Sequence, residues 1–374
     1  MGILDRLTGL LHDRFAAEMK ASREILESQY AGREDLTEFA VPANITVIGH
    51  RAFENCKNLV SVTLPAGLER IENNAFSGCS SLREIRIPEG VRAIGNGAFA
   101  DCTSLESIRL PESLSGTELS GGLFHGCTSL KSVTFPKRLS GSFANVFPQC
   151  GALKEITLPE GITEIGSFTF QYCAGLETVR IPDTVEKISY KAFMKCTDLR
   201  DIYIPDSVRS IDAFHTFAGC SALQSIRLPA GITFRIRPHT EESDDAVLHC
   251  FRECDALKTV TLGTRSFSVG SGRLDDNHLL TMQSALAAEG DPAALAAVSQ
   301  RPDALLWALT VMHEADLAER MLPLLPAELL TEEIMADAAD SAGMIGDPRI
   351  FRLIVEYMRS RGMDTAEFDE YVEE

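Results

Sequence analysis

Long apolar runs, recognisable catalytic motifs and tryptophan are all scarce in this chain of 374 residues. No stretch of about 18 uncharged apolar residues occurs, so no membrane-spanning helix is expected. There is no P-loop, glycine-rich dinucleotide turn, HExxH or GxSxG, which removes the familiar signatures of nucleotide hydrolysis, hydride transfer, zinc proteolysis and nucleophile-elbow hydrolysis. No cofactor and no metal site is expected. The single Trp, at 307, is expected in a core. Lysine is missing altogether from residues 275–374, which hold 6 basic and 21 acidic groups, net −15. Such a region repels nucleic acid and anionic lipid. The acidity is local, because residues 41–274 hold 24 basic and 25 acidic groups. The opening MGILDRLTGLLHDRF carries Asp5, Arg6, Asp13 and Arg14 where a secretory signal needs an uninterrupted apolar stretch. Arg6 also stands where N-myristoylation wants Ser or Thr. The expectation is a cytoplasmic protein.

What is present is a repeat. Cys recurs at 56, 79, 102, 127, 150, 173, 196, 220 and 254, in steps of 23 to 25 residues and a last step of 34. A fixed period of this size marks a solenoid of stacked units. Cys is a small side chain that packs as a hydrophobe, so nine of the ten cysteines read as a buried ladder rather than as metal ligands or disulfide partners.

One unit, AFSGCSSLREIRIPEGVRAI (75–94), shows the local physics. Ile85 and Ile87 alternate with Arg86, the period-2 pattern of a half-buried strand. Pro88 ends that strand because it has no N–H to donate. Val91 to Ile94 reads as a second short strand. Phe76 and Cys79 stand three apart, so AFSGC is expected to form one turn of α- or 3₁₀-helix. Each unit leaves an apolar face that only its neighbours can cover.

The pattern C-x2-L-x2-I-x-LP, in CKNLVSVTLP, CSSLREIRIP, CTSLESIRLP, CTDLRDIYIP and CSALQSIRLP, resembles the BspA-like, Treponema-type class of bacterial leucine-rich repeat. The resemblance covers about 41–263. It implies an α/β solenoid, a right-handed superhelix with a parallel sheet on its concave side. It further implies protein recognition or adhesion rather than catalysis.

The departures from the repeat are informative. Residues 41–53 read as a partial first unit. Residues 3–29 carry helical apolar spacing and are expected to form an N-terminal helical cap, giving domains at 1–40, 41–274 and 275–374. ESLSGTELSGGLF after Pro111 and KRLSGSFANVF after Pro136 are irregular. The segment between Pro229 and Cys254 carries about ten extra residues with His239, His249 and Cys250, a protruding loop rather than a zinc site, since zinc needs four well-spaced ligands.

In each strand the residue between the two apolar ones points out of the core. That row holds Arg86, Arg109, Arg180, Tyr203 and Arg227, and the row before it includes Glu155 and Asp201. Arg and Tyr are enriched at binding hot spots. These seven residues are the candidate partner-binding set. The expected function is a non-catalytic protein-binding scaffold using the concave face and the 230–253 insertion. The alternatives are a cell-surface adhesin, or a small-ligand sensor or enzyme at the junction with the C-terminal all-α domain. In that domain Asp291-Pro292, Arg301-Pro302, Leu325-Pro326 and Asp347-Pro348 read as helix starts. His278 and His313 read as isolated polar residues.

Overall fold

The computed structural model describes residues 23–119, 121–235, 246–269, 274–366 and 368. They form a parallel-sheet β-solenoid of about nine turns followed by a region of six α-helices. The chain divides into two compact units: residues up to Ile202 with Thr216–Leu223, and Tyr203–His215 with Gln224–Glu374. The last turns of the repeat therefore group with the helices rather than parting from them at 274/275. The cause is local: the buried Gln283 amide, on the first helix of the C-terminal region, donates to the carbonyls of Ala230 and Ile232 at 3.1 and 3.0 Å.

In the first unit each turn has three sides. The Leu-x-x-Ile pattern builds the first, a row of short parallel strands. Glu38–Ala40, Ser61–Thr63 and Glu84–Ile85 pair in order, as do Ser107–Arg109 with Ser132–Thr134 and Glu155–Thr157 with Thr178–Arg180. Register sets apolar on apolar: Val62 faces Ile85, Ile108 faces Val133, and Ile156 faces Val179. A slip of one residue would turn each of these outward. The second side carries Glu24–Ile25, Val47–Ile48, Arg70–Ile71 and Ala93–Ile94, again parallel.

The third side differs from its expected helical turn. The residue before each ladder cysteine has positive φ in all nine repeats: Asn55, Gly78, Asp101, Gly126, Gln149, Tyr172, Lys195, Gly219 and Glu253. So does the residue four before it in most of them, including Arg51, Asn74, Gly97, Asn145 and Phe168. Two left-handed residues per turn break an α-helix, whose residues are all right-handed. The backbone donors are shared out instead. Ala52, Glu54 and Cys56 donate back to Gly49, Arg51 and Phe53, closing three tight turns. Arg51, Phe53 and Asn55 donate forward to the carbonyls of Asn73, Ala75 and Ser77, at 3.0, 2.8 and 2.7 Å. Each turn is thus stitched to the next by a third ladder, and no donor in the segment is left over.

Inside, the AF phenylalanines form one column. Tyr30, Phe53, Phe76, Phe99, Phe124, Phe147, Phe170, Phe193 and Phe217 stack with centroids 5.1–6.0 Å apart and ring planes within 20°. The cysteine ladder stands beside it. Its thiols do more than fill space: Cys79, Cys102, Cys150 and Cys173 donate to the carbonyls of Phe53, Phe76, Phe124 and Phe147 in the preceding turn, at 3.0–3.2 Å.

The N-terminal expectation is corrected from residue 23 onward. Residues 1–22 lie outside the described residues. Glu24–Ile25 is a strand against Val47–Ile48, and Glu38–Ala40 is a strand against Ser61–Thr63. Residues 23–40 are a full repeat turn rather than part of a helical cap. Tyr30 takes the Phe place in the stack, Arg33 the Cys place and Phe39 the Ile place. The spacing holds although the residue types have changed. The central irregularity is likewise a strand feature. Arg138–Phe143 and Glu160–Ile165 form a longer parallel pair with register shifts at Gly141, whose φ is +70°.

In the second unit Ser210–Asp212 pairs with Thr233–Arg235, and Ser225–Leu228 with Thr259–Leu262, all parallel. A tight hairpin at Gly263 then brings Arg265–Ser268 back antiparallel and ends the ladder. Of the insertion, residues 236–245 lie outside the described residues, and Ala246–Cys250 forms a short helix, α1. The helical region contains α2 (Asp276–Ala288), α3 (Pro292–Val298), α4 (Pro302–Val311), α5 (Ala315–Met321), α6 (Glu332–Ile345) and α7 (Pro348–Ser360). Asp291 and Asp347 cap α3 and α7 by accepting from backbone amides, with Pro at the first helical position. Pro302 opens α4 without a side-chain cap. Leu325-Pro326 instead precedes only a 3-10 turn, Ala327–Leu329, and the following α-helix starts from Thr331.

Candidate functional site

The outward row of the strands is solvent-exposed from Thr63 through Tyr203 and partly covered at Arg227 and Thr261. Arg86 and Arg109 form a parallel bridge and stand directly opposite one another. Arg109 reaches Glu89 at 3.8 Å with both side chains largely exposed, and Arg86 makes no ion pair among the described residues. Like charges directly opposite on a sheet are unfavourable, and one long exposed contact offsets little of that. Other charges nearby are matched: Lys131 pairs with Glu106 at 2.7 Å and Lys154 with Glu177 at 3.2 Å.

Arg180 is exposed and stands opposite Thr157, while Glu155 is exposed and stands opposite Thr178. These two candidates are therefore not cross-strand partners. Asp201 is exposed at the edge of its strand. Arg180 belongs to the first unit, Tyr203 and Arg227 to the second.

The structure brings Tyr203 and Arg227 together. The guanidinium lies 4.8 Å from the ring centroid, bonds the Ile204 carbonyl at 2.8 Å and pairs with Asp206 at 2.6 Å. Its side chain is only 16% exposed, whereas Tyr203 is 57% exposed. Arg227 is thus a brace that holds the phenol outward, not a free contact. Register alone places both on the outward row but does not show which is committed.

Most of the ladder thiols are held protonated, whereas the hydrogen bond with Cys79 lowers the pKa of the Cys56 thiol. All ten cysteines are free and buried. Burial drives the Cys102 and Cys150 thiols well above their ordinary value and pushes Cys127 and Cys173 up to about 12. A thiol held protonated is neither nucleophile nor metal ligand. No group of three metal-binding side chains occurs among the described residues. His249 lies against Phe214, with ring centroids 6.4 Å apart. His278 and His313 are not isolated: they bond Asp275 at 2.6 Å and Asp347 at 2.9 Å.

Within the second unit a pocket of about 460 Å³ opens between strand Thr233–Arg235 and helices α2 and α3. Arg209, Arg235 and Arg301 line it with Gln283 and Gln300. Its carboxylate, Asp276, accepts from the Val247 amide at 3.0 Å and faces Arg301 at 3.4 Å. The lining is cationic within an acidic region. No helix among the described residues is long and apolar enough to cross a membrane.

The model of a family described as "BspA type Leucine rich repeat region" matches residues 23–145 and 142–237, in 6 copies. A leucine-rich repeat protein from Bacteroides ovatus shares 30% identity at a TM-score of 0.56, over 64% of this chain and 59% of its own. This chain thus spans less than two thirds of that relative's length. A leucine rich cell surface protein from Faecalibacterium prausnitzii shares 21% identity at a TM-score of 0.34, over 65% of this chain and 83% of its own. A leucine rich repeat protein from T. pallidum shares 26% at 0.33, over 47% and 71%. No curated protein matches the chain.

Proposed function

Because the chain belongs to the BspA-type leucine-rich repeat family, we propose that it is a protein-binding scaffold, without catalysis of its own, whose contact surface is the outward row of the strands. One observation carries this reading: Arg86 and Arg109 are held opposite one another on an exposed sheet with a single weak counter-charge. An acidic partner surface would relieve that repulsion, so the partner should present carboxylates. Tyr203, propped outward on Arg227, supplies a rigid amphipathic contact of the kind enriched at hot spots. Cross-linking in the native host should recover a partner whose capture falls when Arg86 and Arg109 become Glu, and again when Tyr203 becomes Ala. Unchanged capture in all these variants would sink the surface. Ten free thiols favour a reducing compartment. Recovery of the native protein outside the cell, on fractionation, would overturn that placement and favour an adhesin.

The pocket at Arg209, Arg235 and Arg301 supports a second reading, a small-anion sensor. Citrate or inorganic phosphate should then raise the melting temperature, with the rise lost in Arg235→Ala. No rise with either anion would end this reading.

A further inference from the structure

The chain's one tryptophan is not in the core. Trp307 is 45% exposed and stands over a groove of about 530 Å³ between α4 and α6. Asp303 and Trp307 are four apart on α4, and Ile334, Ala338 and Ser341 follow helical spacing on α6, so each helix turns one face to the groove. The floor is apolar, with Leu280 and Ala338 buried. The rim carries Asp303 and Asp337, which make no ion pair among the described residues, while Asp276 is matched by Arg301. An exposed indole beside two unmatched carboxylates, in a region of net charge −15, is complementary to one chemistry. A guanidinium or ammonium can lie on the indole face and bond the carboxylates, while its aliphatic stem covers the apolar floor.

We propose that the α4–α6 groove is a docking site for a basic linear segment of a partner protein, with an Arg or Lys seated on Trp307 between Asp303 and Asp337. The bland account of an exposed tryptophan is a chance surface residue. It leaves unexplained why the indole borders a groove whose unmatched rim charges share one sign. This proposal stands independently of the strand-face reading, since the groove is lined from α2, α4 and α6 with Arg301 and by no strand residue.

The test uses the full chain and its intrinsic fluorescence, which reports a single indole. A nine-residue peptide alternating Arg and Ala is titrated at near-physiological salt, with its Glu–Ala counterpart as control. The Arg peptide should shift and quench the emission saturably, and the Glu peptide should not. Asp303→Asn with Asp337→Asn should weaken binding about tenfold or more, the scale of two lost charge-assisted bonds. Glu314→Gln with Glu356→Gln, equal in charge but off the groove lining, should leave affinity within about twofold. For Trp307→Phe, followed by anisotropy of labelled peptide, affinity should fall while the circular dichroism stays unchanged. Equal weakening by both double variants would assign binding to diffuse charge and overturn the site. So would an emission that does not saturate.

Discussion

Equivalent positions in successive turns allow one substitution to be tried with opposite signs. The residue before the ladder cysteine is left-handed throughout, yet it is glycine at 126 and glutamine at 149, one turn later. A left-handed non-glycine residue costs about 1–2 kcal/mol, against about 0.5–1 kcal/mol of extra chain entropy for glycine. Gln149, exposed with φ +64°, should therefore gain about 0.5–1 kcal/mol of stability on becoming Gly. Gly126→Ala should lose that amount and more. Its new Cβ would run into the carboxylate of Asp101, the equivalent residue of the turn below, so the loss should reach about 1–2 kcal/mol. The assay is urea unfolding followed by far-ultraviolet circular dichroism. With a slope of about 2–3 kcal/mol/M, each kcal/mol moves the midpoint by about 0.3–0.5 M. Gln149→Gly should move it up and Gly126→Ala down. Shifts of the same sign, or a neutral Gly126→Ala, would refute the argument that backbone handedness governs this position.

Three further expectations concern the core and the caps. Phe147, fully buried between Phe124 and Phe170, should cost about 3–5 kcal/mol on becoming Ala and should split the unfolding curve into two steps, since it couples the turns on either side; a single step with a small shift would contradict this. The ten thiols should resist Ellman's reagent in the native protein and all react in denaturant, and rapid native labelling of Cys127 or Cys173 would contradict the burial that raises their pKa. Burial pushes the Asp347 carboxyl up, but the His313 hydrogen bond and the Ile350 amide outweigh it and hold the group below the usual carboxylate range. A depressed carboxyl stabilises above its unfolded value of about 4 and loses that contribution as pH falls through its folded value. Asp347→Ala should thus cost about 1–2 kcal/mol at pH 6 and progressively less below pH 4, read from urea midpoints; a cost that grows in acid would reverse the sign.

The repeat was legible because Cys, Leu and Ile recur at one spacing, and the structure sets each of them inward. The first turn was hidden because Arg33 and Tyr30 replace Cys and Phe, so the spacing survives while the residue types do not. The third side was misread as helical because Phe76 and Cys79 are three apart. That spacing also suits tight turns, and only the backbone reveals the left-handed residues between them. At the strand face, register identified the outward row. It could not show that Arg227 is committed to Asp206 while Tyr203 is presented. Trp307, expected in a core, instead borders an exposed groove between helices, a placement its helical apolar spacing does not distinguish from burial.

The third ladder gives the first unit an electrical polarity. In a parallel sheet successive peptide dipoles point alternately along and against the stacking direction and largely cancel. On the AF side they do not. The peptide units 50–51, 52–53 and 54–55 all send their carbonyls toward the preceding turn and their amides toward the next, and the same holds at 73–78 and 144–149. Each turn thus adds up to three dipoles of about 3.5 D in one sense. Their negative end faces the start of the chain and their positive end faces the later turns, the reverse of an α-helix. This wall therefore accumulates a field as turns are added, and an anion should be favoured at its C-terminal edge and a cation at its N-terminal one.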